Sequence, residues 1–347
     1  MSRSLAYTAT LADEGRRIDS ALADAGCYPS RSAAARAVEE GSVLVNGSPV
    51  SKKHAVRSGD TIVYTLPDSA PSTLAGQPID LDIRYEDEHL IVLSKQAGLV
   101  CHPSVDHFDG TLVNALVFHC GAGHLCNVQG EDDRLGIVHR LDRDTTGLML
   151  AAKDDECGYA LMDAIRDKVV ERRYLALCHG VIPHDTGMID APIARSANER
   201  TRMSVRLAPS SREAVTTFRV LERFEPGSRD DGYTLVECKL FTGRTHQIRV
   251  HMEYTRHPIV GDPVYVSGSP AHPSAQLGLE RQFLHSYRLD FTHPATDEPL
   301  SFRDNLPTDL AEALSALSER SSGRTDAYEE VRAELAYAPH PRLGAYL

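Results

Sequence analysis

Along the 347-residue chain, apolar positions follow either the three-to-four-residue spacing of helices or the continuous and alternating runs of strands. The sharpest change of pattern lies in residues 136–153, which begin apolar, carry charge in the middle and end apolar again. This pattern predicts a short buried strand, a polar loop, a Thr-Thr-Gly turn and a second strand over residues 148–152. The loop holds two carboxylates, Asp142 next to the apolar Leu141 and Asp144 further out. Such a loop is either a rigid mount for a reactive group or an exposed turn with local hydrogen bonds.

Residues 16–66 have the pattern of a small separate domain. Its first helix is predicted from an apolar stripe formed by Ile18, Ala21, Leu22 and Ala25. A second helix is expected over residues 31–40 with Ser30 as its cap, followed by a hairpin around Asn46-Gly47 and a strand at residues 61–64. Three prolines and small polar residues then predict a linker. We divide the chain into an N-terminal domain (15–66), this linker (67–80), a larger domain (81–308) and a C-terminal extension of unknown role (309–347).

The larger domain is predicted to mix strands with helices. Helices are expected over residues 111–119 and 157–168, with another at 309–320 in the extension, and strands are expected before Lys95 and over 171–180. Residues 193–206 predict a hairpin with an arginine-rich tip, containing Arg195, Arg200, Arg202 and Arg206. This hairpin is either a finger for a phosphate backbone or an ordinary surface hairpin. Further on, Thr245 is expected to cap a helix over residues 247–251.

Composition narrows the class of protein. Charged residues make up 25% and hydrophobic residues 41%, as in ordinary globular proteins. No apolar run approaches the roughly 20 residues that span a bilayer, and no signal-peptide pattern begins the chain, so we expect a cytoplasmic protein and no membrane partner. The net charge of −12 does not exclude a nucleic-acid partner, because residues 16–57 contain seven Lys and Arg against four acids, a local charge of +3.

The sequence shows no motif typical of a metal site, a redox site or a nucleotide-binding site. The seven cysteines are scattered without a Cys-x-x-Cys pair, which predicts reduced and mostly buried thiols rather than a zinc ribbon. His246 and His251 are five residues apart and would not share a helical face, so a metal-dependent hydrolase lacks the required ligand spacing. A glycine-rich phosphate loop is also missing from the sequence. We therefore expect no metal, no nucleotide and no other cofactor.

Residues 139–148, His-Arg-Leu-Asp-Arg-Asp-Thr-Thr-Gly-Leu, resemble the signature of the RluA-type pseudouridine synthases. The aspartate of His-Arg-Leu-Asp is the nucleophile in that family, and it matches Asp142. Arg140 matches the arginine that enters the space left by the flipped base. The Tyr-Glu-Asp-x-x-Leu-x-Val-x-x-Lys opening at residues 85–95 is also similar. The resemblance implies an α+β fold: a mixed, mainly antiparallel sheet with flanking helices and a central cleft over residues 81–308.

Two further regions extend the resemblance. Tyr174 matches the tyrosine of a Lys/Arg-x-Tyr-x-Ala pattern, which implies a place in the active site, although a core tyrosine with a satisfied hydroxyl is the alternative. Residues 240–252 resemble the third synthase motif, whose first arginine pairs with the catalytic aspartate; that arginine is Arg244. We also count His246 and Arg249 of this motif among the residues that contact RNA.

The N-terminal domain resembles the S4 RNA-binding domain (α-L motif). The landmarks are Arg-Ile-Asp at 17–19, Ser-Arg-Ser at 30–32, the run from Gly41 to Gly47 and Gly-Asp at 59–60. Its basic side chains are expected to contact phosphates: Arg16, Arg17, Arg31, Arg36, Lys52 and Lys53. The alternative is a solvated charged face without a partner.

The resemblance implies a reaction in which the N1–C1′ bond of uridine breaks and the base rejoins the ribose through C5. An ionised Asp142 would attack C1′, or a C2′ proton would leave through a glycal with Tyr174 as its acceptor or relay. Family members that carry an S4 domain resemble the enzymes that modify large-subunit ribosomal RNA, so we expect a ribosomal RNA stem-loop as the substrate. We also expect a monomer. Transfer RNA as substrate, and a catalytically silent RNA-binding protein of the same fold, remain the alternatives.

Overall fold

The computed structural model describes residues 3–28, 31–66, 74–103, 107–130, 132–197, 199, 202–266 and 277–336. The chain forms two compact units. The first unit contains Met1–Ile79, His102–Ile137 and Lys153–Tyr159, and the second contains Asp80–Cys101, Val138–Ala152 and Ala160–Leu347. None of the helices in the described ranges is long and apolar enough to cross a membrane.

A four-stranded antiparallel sheet and two helices form the N-terminal part of the first unit. The elements are β1 (Arg3–Thr8), α1 (Ile18–Asp24), α2 (Arg31–Glu39), β2 (Val43–Val45), β3 (Ser48–Pro49) and β4 (Thr61–Leu66), with sheet order β1-β4-β2-β3. Ile18, Leu22, Val43 and Ile62 are fully buried in the core between them. Asn46 and Gly47 both have positive φ, which the tight β2–β3 turn requires. The two helices and the hairpin predicted from the sequence are therefore confirmed.

The first unit also contains α3 (Leu112–Cys120). Thr111 caps this helix: its hydroxyl accepts from the Asn114 N–H at 3.4 Å, and its own N–H donates to the Asn114 side chain at 3.0 Å. This reciprocal pair satisfies two backbone donors at the helix start. The predicted helix at 111–119 is confirmed.

A single sheet dominates the second unit. Its strands and the neighbouring hairpin are β5 (Asp82–Glu86), β6 (Leu90–Lys95), β7 (Thr146–Ala152), β8 (Glu171–His179), β9 (Thr186–Asp190), β10 (Ile193–Arg195), β11 (Met203–Val205), β12 (Val215–Phe224), β13 (Tyr233–Leu240), β14 (Leu284–Thr292), β15 (Pro299–Arg303) and β16 (Ser321–Arg324). Among the described residues the sheet runs β16-β12-β13-β8-β14-β7-β6-β5, with β15 beside β14 and β9 beside β12. Of the strands that the structure describes, β7 and β14 alone pair in parallel within it. The sheet is thus mixed and mainly antiparallel, as expected.

The centre of this sheet is buried along whole strands. All seven residues of β7 are buried, which explains its continuous apolar sequence. Gly147 has a φ of 109°, and a Cβ atom there would lie 2.2 Å from the backbone oxygen of Ser286 on β14. Glycine is therefore required where β7 and β14 approach each other. This close pairing fixes the start of β7, directly after the Asp142 loop.

The remaining helices are α4 (Asp155–Arg166), α5 (Gln247–Tyr254), α6 (Thr308–Ser315) and α7 (Asp326–Ala336). The helix expected at 309–320 ends early, and the chain continues into β16, which pairs with β12. The Glu334 carboxylate of α7 accepts from Arg288 at 2.6 Å and from Arg303 at 2.9 Å. The described part of the C-terminal extension therefore completes the large sheet.

One predicted element is wrong. Residues 136–141, expected to include a short strand before the loop, contain only a single bridge residue, Ile137, among a turn, bends and irregular backbone. The Gly136 N–H donates to the Cys126 carbonyl and the Ile137 N–H to the Arg134 carbonyl, so these groups are not available for a ladder. The apolar side chains of this stretch, Ile137, Val138 and Leu141, are buried all the same, which is why the pattern resembled a strand.

Candidate active site

The loop that carries Asp142 is held from several sides. Lys95, at the end of β6, is 1% exposed, and its ammonium donates to the carbonyls of Arg143 (2.8 Å), Leu99 (2.9 Å) and Gln96 (2.9 Å). Burial lowers the pKa of Lys95 to about 8, against partly compensating attraction from nearby anionic groups. All three N–H donors of the Lys95 ammonium thus bind backbone carbonyls, one of which belongs to the Asp142 loop.

Contacts on the other side of the loop come from the stretch before β14. The Arg281 guanidinium donates to the Asp144 carbonyl at 3.1 Å, and the Gln282 amide donates to the Thr145 hydroxyl at 3.1 Å. The Thr145 N–H closes a turn onto the Asp142 carbonyl at 3.1 Å. An exposed and unsupported turn is therefore ruled out, and the loop has the rigidity that a reactive group needs.

The Asp142 side chain forms a buried ion pair with Arg249 of α5. Nη1 of Arg249 donates to Oδ2 of Asp142 at 3.0 Å, while Nε and Nη2 bind both oxygens of Asp262 at 2.7 and 2.9 Å. Side-chain exposure is 14% for Asp142, 5% for Arg249 and 0% for Asp262. Burial alone would lower the pKa of Arg249, but its bonds to Asp262 and the charges of both carboxylates raise it above the usual value. The guanidinium is thus a fixed cation that orients one oxygen of Asp142.

The arginine assigned to this pair from the sequence was wrong. Arg244 donates through Nε to the Glu213 carbonyl at 2.9 Å, and its N–H binds the side chain of Gln247 at 3.0 Å. It precedes α5, whereas Arg249 lies within the helix on its buried face. A cation between the apolar Ile248 and Val250 must be paired if it is buried, and this signal in the sequence points to Arg249. For the same reason Arg249 is not the RNA contact that we expected.

The helix start also differs from the prediction. The residue before the first turn of α5 is His246, which adopts the left-handed conformation with φ 57°, and Thr245 does not cap the helix. The left-handed backbone is costly for a residue other than glycine and is held by the surrounding contacts. It brings Nε2 of His246 to 3.9 Å from Oδ1 of Asp142. His246 therefore faces the carboxylate oxygen that Arg249 does not bind.

Tyr174 lies on β8 and is 4% exposed. Burial raises its pKa, the charge of Arg172 and a hydrogen bond with Ser286 oppose that rise, and the negative charge of Asp142 adds to it. The charge of Asp142 thus acts on the Tyr174 phenol, and the active-site role that the motif pattern gave to Tyr174 stays a prediction. A phenol with a raised pKa keeps its proton near neutral pH, so Tyr174 is suited to relay a proton rather than to take one up unaided.

Comparisons with known proteins give the family. A family described as RNA pseudouridylate synthase matches residues 89–254, and the S4 domain matches residues 16–62. An uncharacterized RNA pseudouridine synthase of Bacillus subtilis, YlyB, is 42% identical over 310 residues, covering 89% of this chain and 97% of its own. The chain belongs to the RNA pseudouridylate synthase family. It is an RNA pseudouridine synthase with an S4 domain.

Other proteins similar to this pseudouridine synthase also carry the name of a pseudouridine synthase. Ribosomal large subunit pseudouridine synthase D of Neisseria meningitidis is 39% identical over 321 residues, covering 90% of this chain and 82% of that protein. Among solved structures, the human RNA pseudouridylate synthase domain containing 4 matches with a TM-score of 0.52 and 26% identity, over 70% of this chain and 94% of that one. The human domain containing 1 protein, with a TM-score of 0.55, 23% identity and coverage of 77% and 99%, supports the fold.

The residues of the synthase that were expected to contact RNA have varied surroundings. In the S4 domain, Arg16 pairs with Asp24, Arg17 with Asp19 at 2.7 Å, and Lys52 with Glu39 at 2.5 Å, whereas Lys53 is exposed. Arg31 and Arg36 belong to α2, but their side chains lie outside what the structure describes. The exposed ion pairs in this group are weak and leave their cations able to exchange an acid for a phosphate.

The predicted arginine-rich hairpin is confirmed, since β10 and β11 pair from Ile193↔Val205 to Arg195↔Met203. Arg202 pairs with Glu253 of α5 and lies over the ring of Tyr265, with its guanidinium carbon 5.2 Å from the ring centre. Arg200 lies outside the described residues. Arg202 is thus committed to protein contacts at the hairpin base.

Arg140, which lies beside the active-site loop, is exposed.

Sequence reasoning missed the role of His139. Its Nε2 accepts from the Leu150 N–H of β7 at 2.9 Å, and burial together with the positive charge of Arg172 lowers its pKa to about 3. A neutral imidazole is required, because Nε2 has to accept this bond. His139 therefore ties the start of the signature to β7 and is not suited to bind phosphate.

Proposed function

We propose that this pseudouridine synthase isomerises uridines in the RNA of the large ribosomal subunit, with Asp142 as the nucleophile. The relatives named as large-subunit enzymes match about nine-tenths of the chain. The single observation that carries the assignment of Asp142 is its ion pair with the buried Arg249, which leaves Oδ1 facing His246. We further expect the enzyme to act in the cytoplasm and as a monomer.

The chemistry proposed for Asp142 follows from this arrangement. Oδ1 attacks C1′ of the ribose while the N1–C1′ bond breaks and its electron pair leaves with the uracil. The base then turns so that C5 bonds to C1′ as the ester bond to Asp142 breaks, and the proton leaves C5 while N1 gains one. In the alternative route a proton leaves C2′ to give a glycal, with Tyr174 relaying it. Either route gives an isomer of the substrate, so atoms and electrons balance without a co-reactant.

Arg249 supports the attack by holding the carboxylate. Its bidentate contact with Asp262 fixes the guanidinium plane, so its remaining nitrogen sets the direction of Oδ2 and thereby of Oδ1. Correct orientation of a nucleophile at about 3–3.5 Å from its target accounts for a large share of a rate enhancement. We therefore assign Arg249 the positioning role that the motif pattern had given to Arg244.

Access to C1′ requires that the uridine leaves its stack, which costs a few kcal/mol. Arg140 is exposed two residues before Asp142, and its planar guanidinium is suited to fill the space left by the base. The S4 domain would add sequence-independent phosphate contacts and so raise the local concentration of RNA at the active site. Loops and weakly paired regions are accordingly the preferred substrates.

Site-resolved pseudouridine mapping of total RNA from cells with and without the gene tests the substrate. We expect one or a few large-subunit ribosomal RNA sites to disappear without the gene. Loss of transfer RNA sites alone would show that the substrate assignment is wrong, and unchanged RNA would favour a silent binding protein. Complementation with Asp142→Asn should restore no site, whereas the matched Asp144→Asn variant should restore them.

A further inference from the structure

Tyr265 connects the arginine-rich hairpin to the active site. Its ring is fully buried, in a cluster with Ile193 of β10, Val250 of α5 and the partly buried Met203 of β11. Its hydroxyl oxygen accepts from the Met203 N–H at 2.9 Å and lies 2.9 Å from Nδ1 of His246. The Tyr265 hydroxyl thus forms one hydrogen bond with the hairpin and one with His246, the histidine that faces Asp142.

The direction of these bonds assigns the tautomer of His246. The Tyr265 oxygen already receives the Met203 proton, so its own O–H is left to donate to Nδ1. A neutral imidazole that accepts at Nδ1 carries its proton on Nε2. The Nε2 atom is 3.9 Å from Oδ1 of Asp142, which is too long for a direct hydrogen bond. The N–H donor on Nε2 nevertheless faces the nucleophilic oxygen.

Burial of the imidazole favours the same arrangement. Burial lowers the pKa of His246, and the positive charges of Arg249 and Arg140 act in the same direction against the attraction of Asp142 and Asp262. The imidazole is therefore neutral and has one donor to place. Burial raises the pKa of Tyr265 to about 12, so its O–H stays protonated and available.

The ribose of the target must lie where His246 points. A carbon in position for attack by Oδ1 is about 3–3.5 Å from it, and the ribose oxygens are one bond from C1′ or from its neighbour. An N–H donor 3.9 Å from Oδ1 is within reach of such an oxygen. We propose that Tyr265 is a positioning residue that holds His246 in the tautomer and orientation in which Nε2–H donates to the target ribose. This inference rests on the proposed role of Asp142.

A pair of His246 variants separates this role from a backbone role. Glutamine places an amide N–H near the position of Nε2, whereas asparagine places one near Nδ1 and is the better residue for the left-handed backbone at φ 57°. If the donor at Nε2 matters, His246→Gln keeps most of the single-turnover rate and His246→Asn loses about 10-fold, the worth of one hydrogen bond in a transition state. If only the backbone matters, the order reverses, and that order would overturn the proposal.

The role of Tyr265 is tested by a double-mutant cycle. Tyr265→Phe keeps the buried ring but removes the O–H, and we expect the single-turnover rate to fall about 5-fold with RNA affinity unchanged. Because Tyr265 acts through His246, adding Tyr265→Phe to His246→Asn should cost nothing more. Independent, multiplying losses would refute the connection.

Controls keep the outcomes distinct. Tyr287→Phe removes another fully buried tyrosine hydroxyl, bonded to Glu237, and should leave the rate unchanged. Thermal unfolding of every variant identifies any that fail to fold, and the Tyr287→Phe variant shows what the loss of a buried tyrosine hydroxyl costs away from His246. An inactive wild-type enzyme on ribosomal RNA would contradict the proposed function, whereas an active wild type with an unaffected Tyr265→Phe would contradict this inference alone.

Discussion

Replacement of Arg249 by methionine should both destabilise the enzyme and abolish turnover. The methionine fills a similar volume but leaves Asp262, whose side chain is fully buried, without its cation. Removing one partner from a buried ion pair costs about 3–5 kcal/mol, because the remaining charge is uncompensated. The Asp262 carboxylate keeps its bonds from the Val264 and Tyr265 N–H groups at 2.8 and 3.0 Å, which places the expected loss near the lower end.

The magnitude can be measured by thermal unfolding. A loss of about 3 kcal/mol corresponds to a decrease of roughly 6–12 °C in Tm for a domain of about 150–250 residues. The matched variant is Arg244→Met, in which a partly exposed guanidinium loses one bond to the Glu213 carbonyl. We expect its Tm to fall by no more than a few degrees, since such surface contacts are weak.

A second substitution separates stability from chemistry. Asp262→Asn in the Arg249→Met background removes the uncompensated charge and should recover most of the lost Tm. Turnover, measured by single-turnover pseudouridine formation, should not recover, because Asp142 still has no guanidinium to orient it. An Arg249→Met enzyme with wild-type Tm, or a double variant with restored turnover, would refute the role that we give to this ion pair.

Three further predictions concern pH, packing and RNA affinity. The pKa of His139 is about 3 in the folded protein and about 6.5 in the unfolded chain, so the unfolded state binds more protons between these values; stability should fall by about 2 kcal/mol from pH 7 to pH 5, and denaturant titrations should show a smaller fall for His139→Gln. Gly147→Ala should leave little folded protein, because the new Cβ would clash with Ser286, while Gly98→Ala, also at positive φ (81°) but with open space, should cost about 1 kcal/mol by the same assay. Lys53→Gln should reduce the slope of log Kd for RNA against log salt by about 1 and leave turnover at saturating RNA intact, and an unchanged slope would contradict a phosphate contact there.

Local patterns predicted the elements that depend on local chemistry. The Asn46-Gly47 turn, the helix expected over residues 111–119 and the buried strand after the Asp142 loop follow from residues that are neighbours in sequence. The prediction of a strand before that loop was wrong, because buried apolar side chains do not specify how the backbone N–H and C=O groups beside them are hydrogen-bonded. Burial is a property of the whole fold, whereas a ladder needs a partner strand.

Pairings over long sequence distances were not predictable in the same way. The motif pattern gave the neighbourhood of Asp142 but assigned its cation to Arg244, five residues from the correct one, since only the course of α5 decides which side chain is turned inward. Strands β1 and β16 were missed because both lie at sheet edges: β16 is exposed along its whole length, and of the described side chains in β1 only Leu5 and Tyr7 face the core, both partly buried. The division into domains and the contacts with RNA remain predictions.

The parallel pairing of β7 and β14 has a consequence for synthesis of the enzyme. The residues it joins, Thr146 with His285 and Gly147 with Ser286, are about 140 positions apart, and β14 lies between β7 and β8. A nascent chain that has emerged only through the signature loop and β8 lacks the strand that separates them, and contacts over such a distance form late. The sheet around the signature loop can therefore form only after β14 has been synthesised, and a chain released before that point carries Asp142 without the strand that holds β7 in place.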